Sequence, residues 1–417
     1  MKPFKYPFRA SLSLAIILAL LTVTIALAAS GDLDLTFSGD GKIIQSFGGV
    51  AHTGLDVAVQ SDGKVVAVGE KFTSIGRDFA IARYNTDGSL DTTFSGDGRQ
   101  VVNVGVLDQP FGVAIQTDGR IVVGGETCDI NILSCDVALI RLNSDGSLDA
   151  SFSGDGKVVT DVDGGDNGGV DLVLQGNKIV IGGYLQDGTN YNGAVYRYNA
   201  NGSLDPSFSG DGILPANFGQ DDLFLAITQY SGKIYVVGQS GPTYANPDFF
   251  ITARVNADGT LDTTFSGDGK VKTSLGGYDV ATKVVVSNGK VIVVGASDNN
   301  IAIVQYTATG VLDPSFSGDG KLKANFGFPS AMLQSVAMQG SKIVVVGGTD
   351  ALSGDALLVR FTANGSLDSG FGAGGIVVTD WGGGDYLKSV AIKNARVYVV
   401  GVSTITVNRF IIAAYKP

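Results

Sequence analysis

Five arginines each precede an aspartate by eight residues: Arg83 and Asp91, Arg141 and Asp149, Arg197 and Asp205, Arg254 and Asp262, Arg360 and Asp368. A sixth position has Gln305 before Asp313, and Asp34 lacks its arginine because the equivalent place is Ala414. A planar guanidinium can hold a carboxylate through two parallel hydrogen bonds. One catalytic site does not come in five copies, so these are read as structural pairs. A second chemistry is suggested by Asn85-Thr86-Asp87-Gly88-Ser89-Leu90-Asp91, with oxygen side chains at positions 1, 3 and 7, as in a calcium loop. The parallel stretches Asn199-Ala200-Asn201-Gly202 and Thr307-Ala308-Thr309-Gly310 lose the charged ligand. Turn chemistry is therefore the stronger reading. No cofactor is expected, and calcium is the one to test.

Nucleophilic catalysis needs a base, and the chain has one histidine, His52. It stands in a Gly-rich stretch and reads as an exposed loop residue; no serine stands in a nucleophile elbow. Glycosidase-type carboxylate pairs could be drawn from many aspartates, and nothing singles out two. The better candidates for binding lie where the chain varies between repeats: Asp108, Asp166, Asp222, Asp279, Tyr278, Asp385 and Tyr386. Acidic and aromatic groups around a channel mouth suit a cation or a sugar. Asp56 and Asp171 fall at the ends of inner strands, but without the Glu, His or Asn set of a metal site. Cys128 and Cys135, seven apart, read as a local disulfide across one loop.

The elements that must position these residues follow from a repeat. Gly88-Ser89-Leu90-Asp91-Thr92-Thr93-Phe94-Ser95-Gly96-Asp97-Gly98 recurs seven times, with its aromatic at Phe37, Phe94, Phe152, Phe208, Phe265, Phe316 and Phe371. Each unit carries four strand signals: in the first, Leu55 to Gln60, a turn at Asp62-Gly63, Lys64 to Gly69, Phe79 to Tyr84, and Arg99 to Val104. Four-stranded units repeated radially make a β-propeller. The strand after Ser-Gly-Asp-Gly carries lysines and, once, Pro215, so it belongs on the outer edge. That phase leaves a lone outer strand, Lys42 to Phe47, at the start, and three strands without an outer partner at the end. The expectation is all-β: a seven-bladed propeller of four-stranded blades, closed by the N-terminal strand completing the last blade. That seam should lack the Arg–Asp pair and rely on strand pairing and packing.

Lys2, Lys5 and Arg9, an apolar run to Ala28 and a small-x-small ending have the layout of a secretory signal peptide. Residues 1–28 are read as that leader and residues 29–417 as one propeller domain. The protein is expected to be secreted, cell-surface or periplasmic, with no membrane span after cleavage. With 40 acids against 29 bases the net charge is −11, which argues against nucleic acid as a partner. Glu70 and Glu126 are the only glutamates; Asp and Gly dominate, so turns are many and helix scarce.

The run from Asp78 to Phe94, with Gln60-Ser61-Asp62-Gly63-Lys64 upstream, resembles the delta-60 repeat family. The resemblance covers nearly all of residues 29–417, departing only at Gly370 to Gly375. It implies a bacterial, exported β-propeller without an assigned activity, and supplies no catalytic residues. The function expected is a monomeric, non-catalytic binding or scaffold module for an extracellular protein or carbohydrate. The alternative is a metal-dependent hydrolase or lactonase-like enzyme with carboxylates at the central channel.

Overall fold

The computed structural model describes residues 29–417 apart from 50, 132–133, 329, 351–353 and 405. The expected leader, residues 1–28, lies outside the described residues. Among the described residues there are 28 strands and no α-helix, and no helix is long and apolar enough to cross a membrane. Strands β2 (His52–Val59), β3 (Val65–Phe72), β4 (Arg77–Tyr84) and β5 (Arg99–Val102) form an antiparallel meander. The same unit restarts at β6 (Leu107–Ile115), β10 (Asn167–Gln175), β14 (Asp221–Tyr230), β18 (Asp279–Ser287) and β22 (Met332–Gln339). A single parallel bridge, Arg77 to Leu107, joins the first two units into one eight-stranded sheet. The last three strands are β26 (Gly384–Lys393), β27 (Arg396–Thr404) and β28 (Asn408–Tyr415). Their fourth member comes from the other end of the chain: β1 (Lys42–Gln45) pairs antiparallel with β28, Lys42 opposite Ala413 and Gln45 opposite Phe410.

The second strands run further than their sequence signal. Val65–Phe72 continues three residues past Gly69, so that glycine is mid-strand. The reason lies opposite it. Gly69 pairs with Gly54, but the next pair is Val68 with Asp56, so Leu55 is an extra residue, a β-bulge. A Cβ on Gly69 would lie 1.9 Å from the carbonyl oxygen of Thr53. Gly125, Gly183, Gly238, Gly295, Gly347 and Gly401 face the same bulge, each with a backbone carbonyl 1.8–2.1 Å from where a Cβ would stand. Only glycine admits so close an approach.

The repeated phenylalanines are fully buried, and each joins the facing layers of neighbouring units. Phe94, for example, lies with Val66, Val68 and Ile81 of its own unit and Ile121 and Val123 of the next. The motif serine that follows adopts positive φ, 50–58° at Ser38, Ser95, Ser153, Ser209, Ser266 and Ser317. That strained turn aims the serine N–H at the following unit: Ser95 donates to the Asp145 carbonyl at 2.7 Å, Ser209 to Asp258 at 2.9 Å.

Residues 31–33 meet the C-terminal residues inside one of these turns. Leu33 bridges Tyr415 as Leu90 bridges Tyr84. Gly31 donates to the Lys416 carbonyl at 2.9 Å, and Lys416 to that of Asp32 at 2.8 Å. The expectation that Asp34 has no cation is corrected. Arg396, on β27, donates from Nε to Asp34 at 2.5 Å. The arginine comes from the second strand of its unit rather than the third, so an eight-residue rule misses it.

Candidate functional site

Bulges give the first strands a common purpose. The extra residues are Leu55, Phe111, Val170, Leu225, Thr282, Gln334 and Lys388, one from each of β2, β6, β10, β14, β18, β22 and β26. All seven line one cavity of about 220 Å³. A strand alternates its side chains between faces; a bulge breaks the alternation and re-aims one residue. Here the broken alternation turns that residue inward, half-buried, and in six of the seven it stands between buried neighbours; the exception is Thr282, followed by the half-buried Lys283. Four successive units supply an apolar wall, Leu55, Phe111, Val170 and Leu225. The other three supply Thr282, Gln334 and Lys388.

The residue after the bulge adds charge. Asp171 accepts from Lys283 Nζ at 2.7 Å and from the Ile227 N–H at 3.1 Å, so one carboxylate ties three units together. Asp56 accepts from the Val113 N–H at 2.8 Å and the Ser389 hydroxyl at 2.6 Å. Burial raises the pKa of Asp56, against the pull of Lys283. Burial opposes the charge on Lys283, but Asp171 and Asp56 outweigh it and its pKa lies above the usual lysine value. Lys388 differs. Its ammonium lies 4.8 Å from the centre of the Tyr386 ring, and among the described residues no carboxylate pairs with it. Burial lowers its pKa, with only a partial offset from Glu70. The sequence signals Asp56 and Asp171; Lys283 and Lys388 were missed, because which strand residue faces the cavity depends on the bulge.

The candidates from the variable loops are placed otherwise. Asp108, Asp222, Asp279 and Asp385 are buried at the start of first strands. Each accepts from the backbone N–H four residues earlier: Val104 at 2.7 Å, Phe218 at 2.5 Å, Leu275 at 2.7 Å and Trp381 at 2.5 Å. These carboxylates staple the Gly-rich connection that leads into the strand. His52 occupies the same place. It is buried rather than exposed, correcting the loop reading, and its Nε2 accepts from the Phe47 N–H at 3.5 Å. Asp166 accepts from the Tyr191 hydroxyl at 2.8 Å and the Cys135 N–H at 3.0 Å. Tyr278 is exposed, and Tyr386 is held by Gln334 and the Met332 carbonyl, both at 3.3 Å. None of these seven residues lines the cavity formed at the bulges.

A second polar cluster went unread in the sequence. The two glutamates follow the repeated glycine at equivalent positions, Gly69-Glu70 and Gly125-Glu126, and both are buried. Glu70 accepts from Arg77 at 2.9 Å and Gln109 at 2.7 Å. Glu126 accepts from the Tyr184 hydroxyl at 3.1 Å. Burial pushes its pKa up to about 7 against that bond, with Asp166 adding to the rise. Tyr184, Tyr191 and Tyr244 stack edge to face, 5.7 and 5.6 Å apart. The rarity of glutamate among so many aspartates was the available signal.

Cys128 and Cys135 form a disulfide directly across the β-hairpin, their Cα atoms 4.0 Å apart. Glu126 lies beside it, but its sulfurs are bonded to each other. Asp355, Asp380 and Asp385 bring carboxylate oxygens within 4.8 Å of one another and, among the described residues, are an oxygen set that could hold a cation. In the repeated turn, Asp87 accepts from the Ser89 N–H at 2.9 Å and its hydroxyl at 2.7 Å. Arg83, Arg141, Arg197 and Arg360 each donate from Nε to Asp91, Asp149, Asp205 and Asp368 at 2.7 Å, and Arg254 pairs with Asp262 at 2.8 Å. Each guanidinium also lies over the motif phenylalanine, 4.4–4.9 Å from the ring centre. A second cation reaches each aspartate from the start of the second strand: Lys64, Arg120, Lys178, Lys233 and Lys342, with Lys290 serving Asp313. Two cations and local hydroxyls hold these carboxyls below the usual range against burial, as at Asp91 and Asp149.

Six stretches of the chain, residues 60–94, 116–152, 177–208, 229–265, 287–316 and 341–371, match a β-propeller described as a domain of unknown function, DUF5122. No curated protein matches. Among solved structures, a catalytically inactive virginiamycin B lyase from Staphylococcus aureus with quinupristin is similar: 12% identity over 90% of this chain and 99% of that one, TM-score 0.50. YCF48 bound to D1 peptide is similar at 10% identity, over 93% of this chain and 98% of that one, TM-score 0.51. At such identities the likeness is one of fold.

Proposed function

This chain is a β-propeller repeat protein, and on that premise we propose that it is an exported, non-catalytic binding module whose ligand enters the cavity between the first strands. The seven four-stranded units are the blades of one ring, with β1 as the outer strand of the last. Support for the ring comes from the β1–β28 pairing and from Asp56, on the first unit, accepting from Ser389 on the last. The observation that carries the binding reading is the row of seven bulges, each giving a residue to one cavity. A bulge costs ladder hydrogen bonds and is a designed feature where it recurs. The repeated carboxylates favour binding over hydrolysis, since they are engaged by arginines, lysines and backbone N–H groups. Small-molecule sites are concave, mostly apolar, and carry few placed polar groups. Thermal-shift screening of the whole protein against small acids, amines, amides and sugars tests the reading. Hits should disappear in Leu225→Trp, which fills the cavity. A panel without hits, or hits indifferent to Leu225→Trp, overturns it. Calorimetric titration with calcium tests the metal-enzyme alternative: one tight stoichiometric site, lost in Asp171→Asn but kept in Asp380→Asn, would favour that alternative.

A further inference from the structure

We infer that the cavity takes a small organic carboxylate, its acid group on Lys388 and its apolar body on Leu55, Phe111, Val170 and Leu225. The inference rests on the binding reading above and names the ligand class. Of the four ionisable groups that line the cavity, three are engaged. Asp171 and Lys283 neutralise each other at 2.7 Å. Asp56 is held by the Val113 N–H and the Ser389 hydroxyl. Glu70, the acid nearest in influence to Lys388, is bound by Arg77 and Gln109. Lys388 alone has an aromatic face and no anion. A half-buried ammonium without a counter-charge is a costly arrangement unless something completes it. A carboxylate completes it, and Gln334, on the neighbouring unit, lines the same side, its amide nitrogen already donating to the Tyr386 hydroxyl at 3.3 Å. In the order of units Leu55 stands next to Lys388, and Val170 and Leu225 lie across from it, so the ligand must be amphipathic. The volume of about 220 Å³ limits it to a compact molecule.

Calorimetry on the whole protein with benzoate, phenylacetate and hexanoate, each against its primary amide, reads the inference directly. The acids should bind more tightly than the amides by roughly ten- to a hundredfold, the worth of a charged hydrogen bond. Lys388→Met should remove that ratio, and Lys388→Arg should keep most of it. Thermal unfolding of both variants confirms that they fold. Equal affinity for acid and amide, or a ratio unchanged in Lys388→Met, overturns the inference. Neutral or cationic compounds that bind and are lost in Leu225→Trp, while no acid binds, overturn the carboxylate and leave the binding reading standing. Absence of any ligand overturns both.

Discussion

Glu126 is the residue whose chemistry depends most on pH near neutrality. Its pKa stands at about 7 instead of 4.5, chiefly through burial. The folded protein therefore keeps a proton that the unfolded chain has lost. Its contribution to stability is complete below about pH 4.5 and is lost as pH rises through about 7. Glu126→Gln should flatten that fall, by up to about 3 kcal/mol at pH 8, in urea unfolding measured across the range. A wild-type and variant difference constant with pH would show that the carboxyl is not buried. The repeated pairs predict differently. Arg141→Ala removes a buried cation that binds Asp149, stacks on Phe152 and donates to the Ala200 carbonyl at 2.5 Å. Arg120 remains on Asp149 at 3.0 Å, so the cost should be about 3 kcal/mol, at the low end for a broken buried pair. Lys393→Ala, at an exposed position, should stay within about 0.5 kcal/mol. Equal effects in chemical denaturation would place Arg141 on the surface.

At the scale of elements, the bulge and its glycine act together. Gly125→Ala would set a Cβ 1.9 Å from the Gln109 carbonyl, against backbone that cannot swing aside. It should cost about 3 kcal/mol or more and shift Phe111 in the cavity. Gly96→Ala is the contrast: φ is +84° but the space is open, so only the left-handed penalty of about 1–2 kcal/mol applies. Comparable melting temperatures for the two would refute the account of the repeated glycine. The disulfide spans a short hairpin loop. Cys128→Ser with Cys135→Ser should cost at most about 2 kcal/mol by thermal melting, because a short loop loses little entropy on closure.

At the scale of the molecule, the chain ends are the test. Deletion through Phe47 removes β1, exposes the β28 edge and strips Asp34 from Arg396. It should lower the melting temperature sharply or drive oligomers visible by light scattering. Deletion through Ala29 should do neither, while deletion through Gly31 should cost the Lys416 and Gly372 bonds. A monomer without β1 that melts like the intact protein would sink the seam. The sequence by itself determined the four-strand period, the turns, the buried phenylalanines and the missing outer strand. Those are local patterns, alternation every two residues and glycine where φ is positive, and a local pattern is legible along the chain. It did not reveal Arg396 on Asp34, the stapling role of His52 and Asp108, or Lys388 in the cavity. Lys388 depends on which residue a bulge turns inward and Arg396 on a partner from a distant strand, while the staples are local but depend on how the connection before the strand folds back. Sequence spacing does not encode either, because one extra residue in a strand reverses the side to which everything near it points.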